Sequence, residues 1–288
     1  MQEDTPLLLQ PQQLADRLGE TGLCVIDVSD AERHAERHIP GALQLDYAAL
    51  IAARPPAMGL LPEPADFHAL LQRLGIRADT WVVACDDEGG GRGARLIWSL
   101  HAYGHRRCAL LDGGMTAWLA EGYPLSHEPS AAPPPSDYAP APDGANVCDA
   151  DYILGRLGEA DFALLDARSA AEFSGEKAFA QRGGHIPGAR RYEWTDAIDT
   201  VRNGRLRPAG ELRAELAARG LSADREIVAY CQTHHRSALS WVMLKALGYP
   251  RVRGYHGAWS DWGNRQDTPV ESGADPADRA DEVTGGEA

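Results

Sequence analysis

Residues 23–46, LCVIDVSDAERHAERHIPGALQLD, are written a second time in the same chain. FALLDARSAAEF at 162–173, followed after an insertion by GGHIPGARRYEW at 183–194, repeats the apolar run, the short polar stretch and the HIPGA turn in the same order. Working outward, WVVACDDEGGGRGARLIWSLHAYG at 81–104 matches EIVAYCQTHHRSALSWVMLKALGY at 226–249, and GGMTAWLAEGYPL at 113–125 matches HGAWSDWGNRQDTPV at 256–270. Self-similarity in one fixed order marks a duplicated domain of about one hundred residues or more per copy.

Each copy reads as strand, short helix, HIPGA turn, helix, buried strand, loop, helix, strand, helix. CVID, WVVAC, ALLDA and EIVAY are almost continuously apolar, as strands covered on both faces must be. Strands alternating with helices imply an α/β fold, here two tandem domains that each carry a mainly parallel sheet flanked by helices. GYPLSHEPSAAPPPSDYAPAPDGAN at 122–146 is rich in proline and small residues, which favours an extended, semi-rigid connector over a packed element. The expected organisation is a first domain over 1–125, a Pro-rich linker over 126–145 and a second domain over 146–270. An acidic tail follows over 271–288; it is almost free of large apolar residues and is expected to be disordered.

Composition narrows the function. The 288 residues are 44% hydrophobic and carry a net charge of −14, which suits a globular chain and opposes binding to nucleic acid or to an anionic membrane. No apolar run approaches the roughly 18 residues of a membrane span, and the start, MQEDTPLLLQPQQLADRLG, lacks the basic region of a signal peptide. A cytoplasmic address is expected. Five cysteines, Cys24, Cys85, Cys108, Cys148 and Cys231, form no CxxC pair, which argues against a disulfide scaffold. Charge is uneven along the chain: residues 1–125 hold 17 acidic and 10 basic side chains, whereas 146–270 hold 16 and 17. The balanced block contains Cys231.

After the strand EIVAY, the loop Cys231, Gln232, Thr233, His234, His235, Arg236 leads into SALSWVMLKALG, where Leu239, Val242, Leu244 and Leu247 recur at helical spacing. A strand-to-helix turn this short aims backbone N–H groups and the positive end of the helix dipole inward, where an anion is stabilised. The same field lowers a cysteine pKa from about 8.5 towards about 3.5 to 7.5, which makes Cys231 the candidate nucleophile. Gln232 to Arg236 form the candidate anion cradle, with Arg236 supplying permanent charge and His234 and His235 supplying donors. A metal site needs three or four converging ligands, and one cysteine beside two diverging histidines is a poor set. A merely structural cysteine fits badly with the charge of the loop and its place at a strand end.

The duplicated pattern, the HIPGA turns at 38–42 and 185–189, and a loop cysteine in the second copy only together resemble the tandem-domain rhodaneses, the thiosulfate:cyanide sulfurtransferases. The likeness covers most of residues 5–270, and CQTHHRS followed by ALGYPRVRGY resembles the loop variant of one bacterial group. The resemblance implies two rhodanese-like domains and a ping-pong reaction. The Cys231 thiolate takes the outer sulfur of thiosulfate, sulfite leaves, and the persulfide passes its sulfur to cyanide or another thiophilic acceptor, with no metal or organic cofactor. Phosphatases of the same fold resemble C-x5-R, whereas four residues separate Cys231 from Arg236 here and Ser237 stands at the phosphatase arginine position. The mercaptopyruvate sulfurtransferases resemble the chain in architecture but carry a nearly neutral loop, and a cationic loop suits the thiosulfate dianion better. Glu172 stands where several family members carry a substrate-binding arginine, with Arg182, Arg190, Arg191 and Lys177 as candidate replacements. Two other readings stay open: a 3-mercaptopyruvate sulfurtransferase, and a persulfide carrier that delivers sulfur to a protein partner.

The first copy has Asp86 in place of Cys231. A carboxylate forms no persulfide, so the first domain is expected to be catalytically inactive and to wall the cleft. Cys85 aligns with Tyr230 on the strand and is expected to be buried. HIPGA reads as a backbone device. Asp166, at the end of its strand, is a supporting carboxylate with Arg168 as the expected partner, and Trp194 in RRYEWTD is a candidate for the cleft rim.

Overall fold

In the computed structural model, which describes residues 6–278, the apolar runs become strands. The first half of the chain supplies β1 (Leu8–Leu9), β2 (Leu23–Asp27), β3 (Leu43–Gln44), β4 (Ala52–Arg54), β5 (Ala57–Leu60), β6 (Trp81–Cys85) and β7 (Cys108–Leu111). The second half supplies β8 (Val147–Cys148), β9 (Phe162–Asp166), β10 (Arg190–Arg191), β11 (Ile198–Asp199), β12 (Arg205–Leu206), β13 (Glu226–Tyr230) and β14 (Val252–Tyr255). Two five-stranded sheets result, β1-β7-β6-β2-β3 and β8-β14-β13-β9-β10, with the same order and every pair parallel. The central strands β6, β9 and β13 are buried at all five positions, which explains their unbroken apolar composition. Each fully buried Val or Ile there contributes about 1.5–3 kcal/mol. The edge strands β1 and β8 are two residues long and carry no readable period.

The HIPGA turns are backbone devices. Ala42 N–H donates to Ile39 O and Ala189 N–H to Ile186 O, while Gly41 and Gly188 lie at φ of +79° and +76°. Proline at the second turn position and a left-handed glycine at the third define a type II turn. His38 then exchanges backbone hydrogen bonds with Ser126, and His185 with Glu271, so each turn clasps the segment that leaves its own last helix.

The chain forms two compact units, and neither is continuous in sequence. Among the described residues, the first comprises 6–52, Leu61–Asn146 and Ile198–Leu206; the second comprises Ala53–Leu60, Val147–Ala197 and 207–278. The division into 1–125 and 146–270 therefore misses an exchange of hairpins. β11-β12 is held in the first unit by Leu206 N–H on Asp112 Oδ1 at 2.9 Å and by Arg205 on Gln10 and Glu121. β4-β5 delivers Met58 and Gly59 to the second unit, where Met58 N–H donates to Ser260 Oγ at 3.0 Å.

Two further expectations are corrected. The 126–145 segment has no helix or strand over residues 127–143, but it is packed: Ser136 Oγ donates to Ile76 O, and His68 Nε2 to Pro140 O. Nor is the tail disordered from its start. Glu271 pairs with His185, the buried Asp275 carboxylate accepts from Arg191 N–H at 2.6 Å, and Asp278 bridges Arg191 and Arg219 at 2.8 and 2.9 Å. Acidic residues dock by charge where apolar ones are missing. The rest of that stretch, 279–288, lies outside the described residues. Among the described residues, no helix is long and apolar enough to cross a membrane, and no group of three or more His, Cys, Asp or Glu is placed to hold a metal ion.

Candidate active site

β13 ends at Tyr230 and the helix Arg236–Ala246 begins at the sixth residue after it, so the chain must reverse within the five residues Cys231–His235. The turn is made at His234, whose φ of +53° lies in the left-handed region that few residues other than glycine adopt. The loop carbonyls are taken up on one side: Trp259 N–H donates to Cys231 O at 2.9 Å and Ser260 N–H to Gln232 O at 3.0 Å. On the other side, the Thr233 and Ser237 N–H groups and the Ser237 hydroxyl donate to the Cys231 sulfur. This is an anion nest with the thiol at its centre.

Electrostatics single out Cys231 among the five cysteines. Burial pushes the thiols of Cys24, Cys85, Cys108 and Cys148 up, Cys24 to about 11. Burial acts on Cys231 in the same direction, but the Arg236 charge, the Ser237 hydroxyl and the loop N–H groups outweigh it, and its pKa is lowered. A fully buried thiol that favours its anion is the chemical signature of this site.

The remaining loop residues divide the work differently from the sequence reading. His234 is buried, and its Nδ1 lies 2.8 Å from Ser237 Oγ. His235 and Trp194 are both partly buried, and their rings lie 6.4 Å apart. Gln232 turns its amide towards Phe179 O at 3.4 Å, and Thr233 contributes its backbone N–H.

Arg236 is not an unmatched cation. Its Nη1 and Nη2 donate to Glu172 Oε2 and Oε1 at 2.7 and 2.8 Å. Glu172 also caps its own helix, Ala170–Ser174, through the Ser169 N–H and hydroxyl. Burial raises its pKa, yet Arg236 and Ser169 prevail and hold it down to about 2. The expected replacements for a substrate-binding arginine are engaged elsewhere: Arg182 on the carbonyls of Trp262 and Thr268, Arg191 on Asp278, and Lys177 over the Phe179 ring at 4.8 Å. Arg190 is half-buried on β10.

Below the loop, Asp166 and Arg168 are both buried and joined by two parallel bonds, with Arg168 Nη2 on Asp166 Oδ2 at 2.6 Å. The guanidinium lies 4.5 Å from the ring of Trp259, whose N–H holds Cys231 O, and 5.6 Å from that of Tyr230, which precedes Cys231, so the pair packs beneath the Cys231 end of the turn.

The first unit repeats the loop with its anion built in. Asp86 Oδ1 accepts from Glu88 and Gly90 N–H at 3.0 and 2.8 Å, and Oδ2 from Gly93 N–H at 2.7 Å. Met115 N–H donates to Asp86 O at 2.9 Å, as Trp259 does to Cys231. Cys85 is buried on β6. The roles of Ser237 and Glu172 were missed in the sequence. Only Glu172 had a readable signal there, the S-x-x-E capping box at 169–172.

The model of the rhodanese-like domain matches residues 10–121 and 149–265. The chain is 47% identical over 275 residues to a thiosulfate sulfurtransferase of Azotobacter vinelandii, covering 92% of this chain and 97% of that one. It is 33% identical to the sulfur carrier protein TtuD of Thermus thermophilus, over 93% and 97% of the two chains. Among solved structures, the 3-mercaptopyruvate sulfurtransferase SseA of Escherichia coli superposes with a TM-score of 0.79 at 28% identity, covering 88% of this chain and 99% of that one.

Proposed function

The chain belongs to the rhodanese-like family, and from that premise we propose that it is a thiosulfate sulfurtransferase with Cys231 as its nucleophile. The carrying observation is the Cys231 thiol, buried yet held towards its anion by Arg236, Ser237 and the loop N–H groups. The thiolate attacks the outer sulfur of thiosulfate, a carbon-bound S–S bond forms, and the electron pair of the broken S–S bond leaves with sulfite. The charge on the new terminal sulfur is taken by the same donors. Cyanide or another thiophile then attacks that terminal sulfur, leaves with it, and returns Cys231 as the thiolate. No proton has to be moved at the sulfur, which suits a site built of hydrogen-bond donors and a cation. His235 and Trp194 are assigned to the rim where the donor enters; Asp166 supports the floor through Arg168.

Asp86 fills the corresponding loop of the first unit with its own carboxylate, which supports an inactive first domain. The thiosulfate preference rests on the relatives rather than on loop charge, because Glu172 matches the Arg236 cation. A cytoplasmic address goes with this chemistry, since a persulfide-forming thiol must be kept reduced. The test is intact mass before and after thiosulfate, with thiocyanate release on adding cyanide, for wild type and Cys231→Ala. One added sulfur, cleared by cyanide and absent from C231A, is the expected result. Loading from mercaptopyruvate alone would assign the other donor, stable loading with slow cyanide turnover would assign a carrier, and no loading from either donor would overturn the reading.

A further inference from the structure

The residues that hold the catalytic loop include two from far away in the sequence. Gly59 lies against the backbone of Thr233: a Cβ built on it would fall 2.1 Å from Thr233 O, 2.5 Å from its carbonyl carbon and 2.8 Å from its Cα. All three are backbone atoms, so no side-chain rotation relieves the clash. Its neighbour Met58 donates its N–H to Ser260 Oγ at 3.0 Å, and Ser260 in turn donates its own N–H to Gln232 O. The hairpin strand thus touches the loop directly at Thr233 and at one remove at Gln232, the two residues after Cys231. Gly59 has an ordinary φ, so its lack of a side chain is explained by this close approach and not by backbone conformation.

We propose that residues 57–60, encoded in the catalytically silent half of the sequence, are a positioning element for the Cys231 loop, with Gly59 as the positioning residue. The chain of cause is short. Any side chain at position 59 displaces the Thr233 backbone; the Thr233 N–H is one of the donors to the Cys231 sulfur; and loss of that donor leaves the thiolate less stabilised. The inference rests on the proposed role of Cys231, and it concerns the state of the thiol before any sulfur donor binds.

The experiment is the pH dependence of Cys231 alkylation by iodoacetamide in the full chain, followed by intact mass, for wild type, Gly59→Ala and Gly210→Ala. Gly210 has nothing within 4 Å of a built Cβ and serves as the control. For G59A the alkylation profile moves to higher pH and the rate at pH 7 drops by about tenfold or more, while G210A follows wild type. Thiosulfate loading is measured on the same samples. A wild type that alkylates normally but takes no sulfur counts against the sulfurtransferase reading and leaves the positioning claim to the alkylation data. A wild-type alkylation profile in a folded G59A overturns the proposal. If G59A does not fold, Ser260→Ala, which removes the acceptor of Met58 N–H without adding an atom, decides: an upward shift supports the proposal and an unmoved profile overturns it.

Discussion

Replacing Glu172 by Gln separates two effects of one carboxylate. In the folded protein Glu172 is held near a pKa of about 2 against an ordinary value of 4.5, chiefly by Arg236 once burial is overcome. A shift of that size corresponds to about 3 kcal/mol. Because the folded-state value is depressed, this stability is present above pH 4.5 and is lost as pH falls through 4.5 towards 2. The substitution keeps the shape and one acceptor for Arg236 but removes the charge, so E172Q should be less stable by about 2–3 kcal/mol at pH 7. The gap to wild type should narrow as pH falls from 4.5, because the wild-type carboxylate is protonated too. Urea unfolding at pH 7 and pH 3 reads both numbers. Activity should move the other way. At an effective dielectric near 20, a unit charge about 4 Å away is worth about 4 kcal/mol. Solvent at the Arg236 side chain, 22% exposed, screens much of this. Unmatched, Arg236 should lower the thiosulfate KM by about tenfold, roughly 1.4 kcal/mol, and lower the pH at which Cys231 is alkylated. An unchanged KM with an unmoved or raised alkylation profile would refute the reasoning, since it would mean that Glu172 only orients Arg236 and does not offset its charge.

Two further substitutions test the two loops. Ser237→Ala removes a hydroxyl donor from the Cys231 sulfur while leaving the backbone N–H, so the thiol pKa should rise; iodoacetamide kinetics against pH measure it. Asp86→Ala strips the acceptor from three N–H groups in the first unit, which should cost about 3 kcal/mol or more and lower the thermal midpoint, while thiosulfate loading at Cys231 stays at wild-type level. Sulfate added to D86A should restore part of that loss, since the emptied nest is an anion site and binding to the folded state stabilises it.

Legibility in the sequence followed the range of the interaction. The duplication, the buried strands and the strand-to-helix loop are local patterns, and Cys231 could be named from its neighbours alone. The Arg236–Glu172 pair spans 64 positions, and a sequence read for local charge counts Arg236 without its partner. The β4-β5 hairpin escaped for a similar reason: AARPPAMGL at 52–60 reads as a turn between short strands, and nothing local says which unit will bury it. Ser237 looked like a departure from a phosphatase loop, whereas its hydroxyl, on the second residue of the helix, helps to lower the Cys231 pKa. The tail was misjudged from composition because acidic side chains were not weighed against Arg191 and Arg219, which are distant in sequence and close in space.

The exchanged hairpins also set a timetable for synthesis. The strands of the first sheet are all available once Leu111 has been made, yet the hairpin that completes that unit ends at Leu206. The ribosome needs roughly 5–20 s to add the intervening residues. During that interval Asp112 lacks the Leu206 N–H that it will accept, and β4-β5 waits for a catalytic loop that does not yet exist. The two halves descend from one repeated unit, but the nascent chain has no independent first domain to finish and set aside: the first unit is completed only after about 70% of the protein has been translated, and the Cys231 loop, held by Trp259 and Ser260, only after about 90%.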